Sequence, residues 1–385
     1  MTEPSSFDVA VIGAGVFGAW AAYHLQTRGA RVILIDAHGP ANNRSSSGDE
    51  SRIIRMGYGA DEVYTRSAMR SLELWRELLK QTPEPLFHQT GVLWLARDGD
   101  QYPMQTLETL KRVGIECESL TLSDLRRRYP QFDFEGIAGG FIETGSGAIL
   151  ARRAVQTVVR EAIKAGVSYV NDAVAAPFDG LEFRKLVTIS GRRVSAKYLV
   201  FACGSWLAKL FPELLGEQIR PTRQEVFYFG APPGDDRFSP EQMPTWIDFK
   251  DETYGLPDID GRGVKIALDR HGPRFDPDSD DRVATPGGLA EARERLKRRL
   301  PALKNAPVVE SRVCHYENTS NGDFLIDSHP SFENLWIAGG GSGHGFKHGP
   351  AVGEYLAARI EGNDAGIEPR FSLAGKKVTR ERSVF

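Results

Sequence analysis

Residues 7–12, FDVAVI, form a short apolar run rich in β-branched side chains, which predicts a strand. A glycine turn follows, and then residues 19–25, AWAAYHL, predict a helix closed by Gly29. Residues 31–35 are a second apolar strand ending at Asp36. Further on, 62–79 have the alternation of an amphipathic helix, 86–96 predict a strand region broken at Gln89-Thr90-Gly91, and 105–113 and 122–128 predict short helices. A second clear helix at 151–165 is stopped by Gly166 and followed by a strand at 167–170. Residues 186–190 and 194–202, parted by Gly191, predict paired strands, the second running into Cys203-Gly204-Ser205-Trp206. Strands are expected at 226–229 and 265–268 between Pro/Asp-rich loops, and a charged, surface-lying helix at 289–300. Last comes an apolar strand at 335–338, the run Gly339-Gly340-Gly341-Ser342-Gly343-His344-Gly345, and a helix at 351–360.

The chain has 385 residues, 41% hydrophobic and 26% charged, which excludes wholesale disorder and allows a large core of two or three domains. With 48 basic and 51 acidic side chains the formal net charge is −3, so there is no electrostatic footprint for nucleic acid or an anionic membrane. No apolar run reaches the roughly 18 residues of a spanning helix. The acidic start, Met1-Thr2-Glu3-Pro4, lacks the basic segment of a signal peptide, and a cytoplasmic location is expected. Three cysteines, Cys117, Cys203 and Cys314, make no disulfide framework and fit a reducing compartment. There is no internal repeat, no zinc-ligand spacing and no nucleophile elbow; no metal is expected.

The order strand, glycine turn, helix, strand, acid at 7–36 carries chemistry. In Gly13-Ala14-Gly15-Val16-Phe17-Gly18, Gly13 would make the tight turn, Gly15 would let backbone approach a pyrophosphate, and Gly18 would let the helix pack close to the sheet. The helix start offers N–H groups and the positive dipole end to phosphates. Asp36 stands where a carboxylate accepts from ribose hydroxyls, which favours FAD or NAD over NADP. Arg52 and Arg55 in SRIIR, three apart, read on spacing alone either as a solvated pair or as one functional face.

Six segments in order resolve that choice: GAGVFG at 13–18, SRIIR at 51–55, ACGSW at 202–206, GVK at 263–265, VCHYENTSNGDFLID at 313–327 and SGHGFKHGP at 342–350. Together they resemble the D-amino-acid-oxidase superfamily of flavoproteins, most closely its monomeric sarcosine oxidase, N-methyltryptophan oxidase and pipecolate oxidase branch. The resemblance implies a mixed α/β fold, with a Rossmann-like FAD-binding domain from 1–83, 145–217 and 320–385. A discontinuous substrate domain from 84–144 and 218–319 would be built on a large mixed β-sheet. It implies oxidation of a secondary or cyclic amino acid to the imine by hydride transfer to flavin, with O2 reduced to H2O2. The partners would then be a small amino acid or amine and O2, and the chain a monomer.

By the same resemblance Cys314 matches the cysteine that bonds a flavin ring methyl, and Lys265 the lysine that activates oxygen by stabilising a developing anion. Arg55 and Lys347 match the clamp on the substrate carboxylate, Arg52 the arginine beside the flavin ring, and Tyr254 and Tyr316 the aromatic lining of the pocket, with Trp246 nearby. The matching segments also assign Gly13, Gly15, Val16, Gly18, Asp36, Ser46, Cys203, Gly204, Trp206, Gly340, Gly343, His344, Gly345 and Lys347 to the cofactor. Loops at 230–262 and 268–286 would shape the pocket. Two departures bear on the substrate. Ser46-Ser47-Gly48-Asp49 stands where the sarcosine oxidases have histidines, and Asp269 stands where they have a histidine four residues past the lysine. A carboxylate at 269 would favour a cationic or hydroxylated substrate. Alternatives are a dehydrogenase of the same fold and a flavin-holding subunit without catalysis; the paired Arg55 and Lys347 count against the second.

Overall fold

The computed structural model describes residues 5–174, 185–363 and 366–377. Strand β1 (Ser5–Ile12), helix α1 (Val16–Thr27) and strand β2 (Val32–Asp36) form the expected opening unit. β1 is the centre of a seven-stranded sheet, parallel to β2 on one side and to Arg193–Phe201 on the other. Ser168–Asn171 extends it beyond β2, Phe332–Gly339 lies parallel to Arg193–Phe201, and Leu325–His329 closes the edge antiparallel. The carboxyl-terminal halves of these central strands are buried on both faces and read as apolar runs, as parallel strands covered by helices do. Gly13 and Gly18 set how close α1 lies. A Cβ on Gly18 would stand 1.9 Å from the Gly13 carbonyl oxygen, and one on Gly13, at φ +104°, 2.4 Å from the Ala202 oxygen.

An eight-stranded sheet stands beside it, in the order Val308–Thr319, Ile219–Phe229, Val264–Leu268, Thr253–Leu256, Thr245–Asp248, Val92–Ala96, Gly139–Glu143, Cys117–Thr121. All neighbours are antiparallel except Thr245–Asp248 and Val92–Ala96, so the sheet is mixed, as expected. A short third sheet joins Arg52–Ile54, Gly147–Ile149 and Phe87–His88. Glu62–Leu79 forms the predicted helix. Asp61 caps its start, and Tyr64, Ala68, Leu72, Trp75 and Leu79 recur on one buried face.

One expectation is corrected, and one strand is added. The helix Pro286–Arg299 does not simply lie on the surface: Ala292, Leu296 and Arg299 are buried against the large sheet, and Arg299 reaches Asp248 at 2.7 Å. The strand Val308–Thr319, twelve residues long, was not anticipated. Its alternation of charged and apolar residues fits a long antiparallel pairing with Ile219–Phe229, in which only one end is buried on both faces.

Candidate active site

The carboxyl ends of the four parallel central strands open on one cleft of about 370 Å³. Its walls include Gly13, Gly15, Val16, Asp36, Ser46, Arg52, Cys203, Gly204, Trp206, Cys314, Gly343 and Gly345. Gly18 lies beneath it in the helix contact, and Gly340, at φ +68°, backs onto Thr319. His344 and Lys347 line a neighbouring cavity instead. The Asp36 carboxylate accepts the Ala14 N–H at 2.7 Å and the His38 N–H at 2.8 Å, which fixes it at the end of β2. At Gly15 an added Cβ would meet only Ser47 Oγ, 3.5 Å away, so the backbone is bare toward the cleft. A long apolar-lined slot, a helix N-terminus and an acid at the second strand fit FAD.

Arg52 stands between the cleft and the second cavity. Its Nη2 donates to the Ser46 carbonyl at 3.0 Å and to Cys314 Sγ at 3.1 Å, and Nη1 donates to Asp49. Asp49 is buried and also accepts from Lys265 Nζ at 2.6 Å and from the Tyr228 hydroxyl at 2.9 Å. Burial alone would raise its pKa. The charges of Lys265 and Arg52 and the bond from Lys265 outweigh that and hold the carboxyl well below its usual range. Lys265 is completely buried and donates also to the Ser51 carbonyl at 2.7 Å; burial pushes it down to about 8 against the pull of Asp49. Lys265 therefore lines neither described cavity, and is linked through Asp49 to Arg52, which borders both. His315 accepts at Nδ1 from Ser205 at 2.6 Å and donates from Nε2 to the Arg44 carbonyl at 2.7 Å; burial pushes it down to about 4, so this imidazole is a neutral strut.

The second cavity is lined by Arg52, Arg55, Tyr254, Asp269, Cys314, Tyr316, His344 and Lys347, with apolar walls from Val226, Ile247, Phe249, Leu268 and Phe346. Both segments expected to shape it contribute, but 230–262 is not simply a loop: Ile247 and Tyr254 reach the cavity from the strands Thr245–Asp248 and Thr253–Leu256. Arg55 lies 4.6 Å from the Tyr58 ring centre and 5.2 Å from that of Trp94, which hold its guanidinium over aromatic faces. Lys347 Nζ donates to the Tyr58 hydroxyl at 3.0 Å and the His344 carbonyl at 3.1 Å. Asp269 accepts from the Tyr316 hydroxyl at 2.7 Å. Burial raises Asp269 to about 6, opposed by that bond and by the charges of Arg55 and Lys347.

Trp246 does not line the pocket: it is fully buried against Phe132, and Ile247, one residue on, faces the cavity because strand side chains alternate. Sequence reasoning did not single out Tyr58, Tyr228 or Glu317, and named Asp49 only as a departure. Tyr58 stands three residues past Arg55, and Asp49 three before Arg52, and these spacings were the available signals.

The model of the FAD dependent oxidoreductase family matches residues 8–359. The chain belongs to this family. It is 32% identical over 358 residues to a monomeric sarcosine oxidase of Bacillus sp. (strain NS-129), covering 91% of this chain and 92% of that one. It is 30% identical over 387 residues to the N-methyl-L-tryptophan oxidase of Salmonella heidelberg (strain SL476), covering 97% and 99%. The solved L-proline dehydrogenase of P. horikoshii shares the fold at a TM-score of 0.85 with 21% identity, covering 98% of this chain and all of that one. An FAD-dependent oxidoreductase is thereby established. Among the described residues no helix is long and apolar enough to cross a membrane.

Proposed function

We propose that this chain oxidises a secondary or cyclic amino acid, sarcosine-like or pipecolate-like, to the imine, with O2 reduced to H2O2. What carries the reading is the pairing of Arg55 and Lys347 in one small cavity that opens beside Cys314 and Arg52 at the cofactor cleft. FAD, when bound, would accept the hydrogen of the substrate carbon together with its two bonding electrons, as a hydride. Arg55 and Lys347 replace the hydration that a substrate carboxylate loses on entering an aromatic-walled pocket. Their charge also favours loss of the ammonium proton, and the neutral amine's lone pair is what stabilises the iminium. Tyr254 and Tyr316 confine the substrate against the cleft. Cys314, on the wall of the cofactor cleft and with an Arg52 N–H at 3.1 Å from its sulfur, is the attachment point we assign to the flavin. Acid precipitation of mature protein should leave the yellow colour in the pellet; colour wholly in the supernatant refutes attachment. The cofactor domain would comprise 1–83, 145–217 and 320–385 and the substrate domain 84–144 and 218–319, in a cytoplasmic monomer.

A second reading is favoured by one observation. Lys265 is paired with Asp49 at 2.6 Å, so the cation assigned to oxygen activation is compensated. Under that reading the chain is a dehydrogenase that passes electrons to a carrier. Anaerobic mixing with N-alkyl and cyclic amino acids, followed by oxygen or by an artificial acceptor, decides both points. Bleaching by amino acids with stoichiometric peroxide in air supports the oxidase. Bleaching with slow recovery in air and fast recovery with the acceptor supports the dehydrogenase. No bleaching by any amino acid overturns both.

A further inference from the structure

Glu317 is a buried carboxyl in the cofactor cleft to which the amine chemistry gives no task. It is 8% exposed and shares the cleft wall with Gly13, Asp36 and Cys314. The Gly340 and Gly341 N–H groups donate to its carboxyl, yet Oε2 has no hydrogen-bond partner. No basic side chain pairs with it among the described residues. The surrounding backbone is cut to fit it. A Cβ on Gly341 would come within 3.1 Å of Oε1, and a Cβ on Gly339 within 3.3 Å of Oε2. A Cβ on Gly204, in the other glycine turn, would stand 3.6 Å from the same oxygen. A buried polar atom left unpaired costs about 1–3 kcal/mol, so an orphan enclosed by two glycine turns calls for a partner.

The charge state follows from the surroundings. Burial raises this carboxyl to about 7, opposed by the two N–H groups, and the titratable neighbours facing it are Cys203 and, past it, Asp36, neither of them a cation. An anion here would also repel a dinucleotide. Asp49 is the contrast, a buried carboxylate kept ionised by two cations.

We propose that Glu317 is a cofactor ligand, a neutral carboxylic acid whose unpaired oxygen carries the proton and donates a hydrogen bond to an acceptor atom of FAD in the cleft. This rests on FAD binding alone, not on the substrate assigned above.

The test uses Glu317→Gln, which keeps a donor without charge, and Glu317→Leu, which keeps the volume without a donor, both in a Cys314→Ala background so that FAD exchange is measurable. FAD affinity by fluorescence quenching should stay within about twofold for Gln and fall about tenfold or more for Leu, with shifted visible bands. An infrared difference spectrum of dithionite reduction should show a protonated-carboxyl C=O band in the parent that is missing in Glu317→Gln. A Leu variant matching the parent in affinity and bands overturns the proposal. So does a parent spectrum without the band, and this arm holds even if the Leu variant fails to fold. Because no amino acid is used, a wrong substrate assignment leaves the result unaffected.

Discussion

The cofactor cleft and the substrate pocket lie side by side and share Arg52 and Cys314, yet they are built differently. The cleft is made by backbone: two glycine turns at the ends of parallel strands, an acid at the end of β2, and a helix start. The pocket is made by side chains from residues 52–55, strands of the large sheet, and residues 344–347 at the end of the late glycine run, which meet only when two sheets and that turn are folded together. A backbone site tolerates change along its walls and fails at its turns. A side-chain site loses function one contact at a time while the fold persists.

The strongest way to break that contrast is at Gly18. A side chain there meets the Gly13 carbonyl carbon and oxygen, backbone that cannot swing away. Gly18→Val should cost about 3 kcal/mol or more and yield protein without FAD. Flavin absorbance per protein and the thermal midpoint check this; full FAD content with an unchanged midpoint would mean that the turn does not set the helix contact.

Lys265, which lines neither cavity, sharpens the comparison from behind Arg52. Lys265→Met should slow reoxidation of reduced flavin by oxygen by about 10²–10³ while flavin reduction changes little, if the charge acts on oxygen. Stopped-flow mixing of reduced protein with oxygen measures it. A change below about threefold would mean that Asp49 has already cancelled the charge, and would favour the carrier-linked reading.

This asymmetry also explains what was legible in the sequence. The opening unit, the helix Glu62–Leu79 and the late strand with its glycine run are local patterns, and each lies within a few residues of its expected place. The strand Val308–Thr319 was invisible because its ladder partner lies about ninety residues earlier, and its polar residues face solvent over half its length. Arg52, Arg55, Tyr254, Tyr316 and Lys347 were named through family motifs, and the structure brings them into one cavity. Lys265 was named in the same way, but its partner Asp49 required the three-dimensional pairing of the 45–51 loop with Val264–Leu268. Tyr58, which orients both clamp cations, carries no signal beyond its distance from Arg55.

The clamp gives the next effect in size. Arg55→Ala should weaken binding of simple carboxylate inhibitors by about 2 kcal/mol, as for a lost charge-assisted pair, and slow flavin reduction as well. FAD content should not change, because Arg55 does not line the cleft. Inhibitor titration by flavin absorbance checks the first claim. Carboxylate-free amines oxidised as well as their amino-acid counterparts would show that the clamp does not select substrate.

The smallest effect comes from Asp269. Its carboxyl lies in the pocket with Arg55 and Lys347 and is raised to about 6 by burial, against the Tyr316 bond and the two cations. Above that pH it is an anion beside the clamp and competes with an incoming carboxylate for the same positive field. Below it the group is neutral and the full field acts on the ligand. Binding of an amine-free carboxylate inhibitor should therefore tighten as pH falls through about 6, by roughly three- to tenfold, since one pKa unit corresponds to about 1.4 kcal/mol. Asp269→Asn should flatten that profile and bind the inhibitor more tightly than the parent at pH 8. An amino-acid ligand should respond less, because its ammonium gains from the same anion that its carboxylate opposes. A profile that survives Asp269→Asn would assign the titration to another group and leave Asp269 as a structural acceptor for Tyr316.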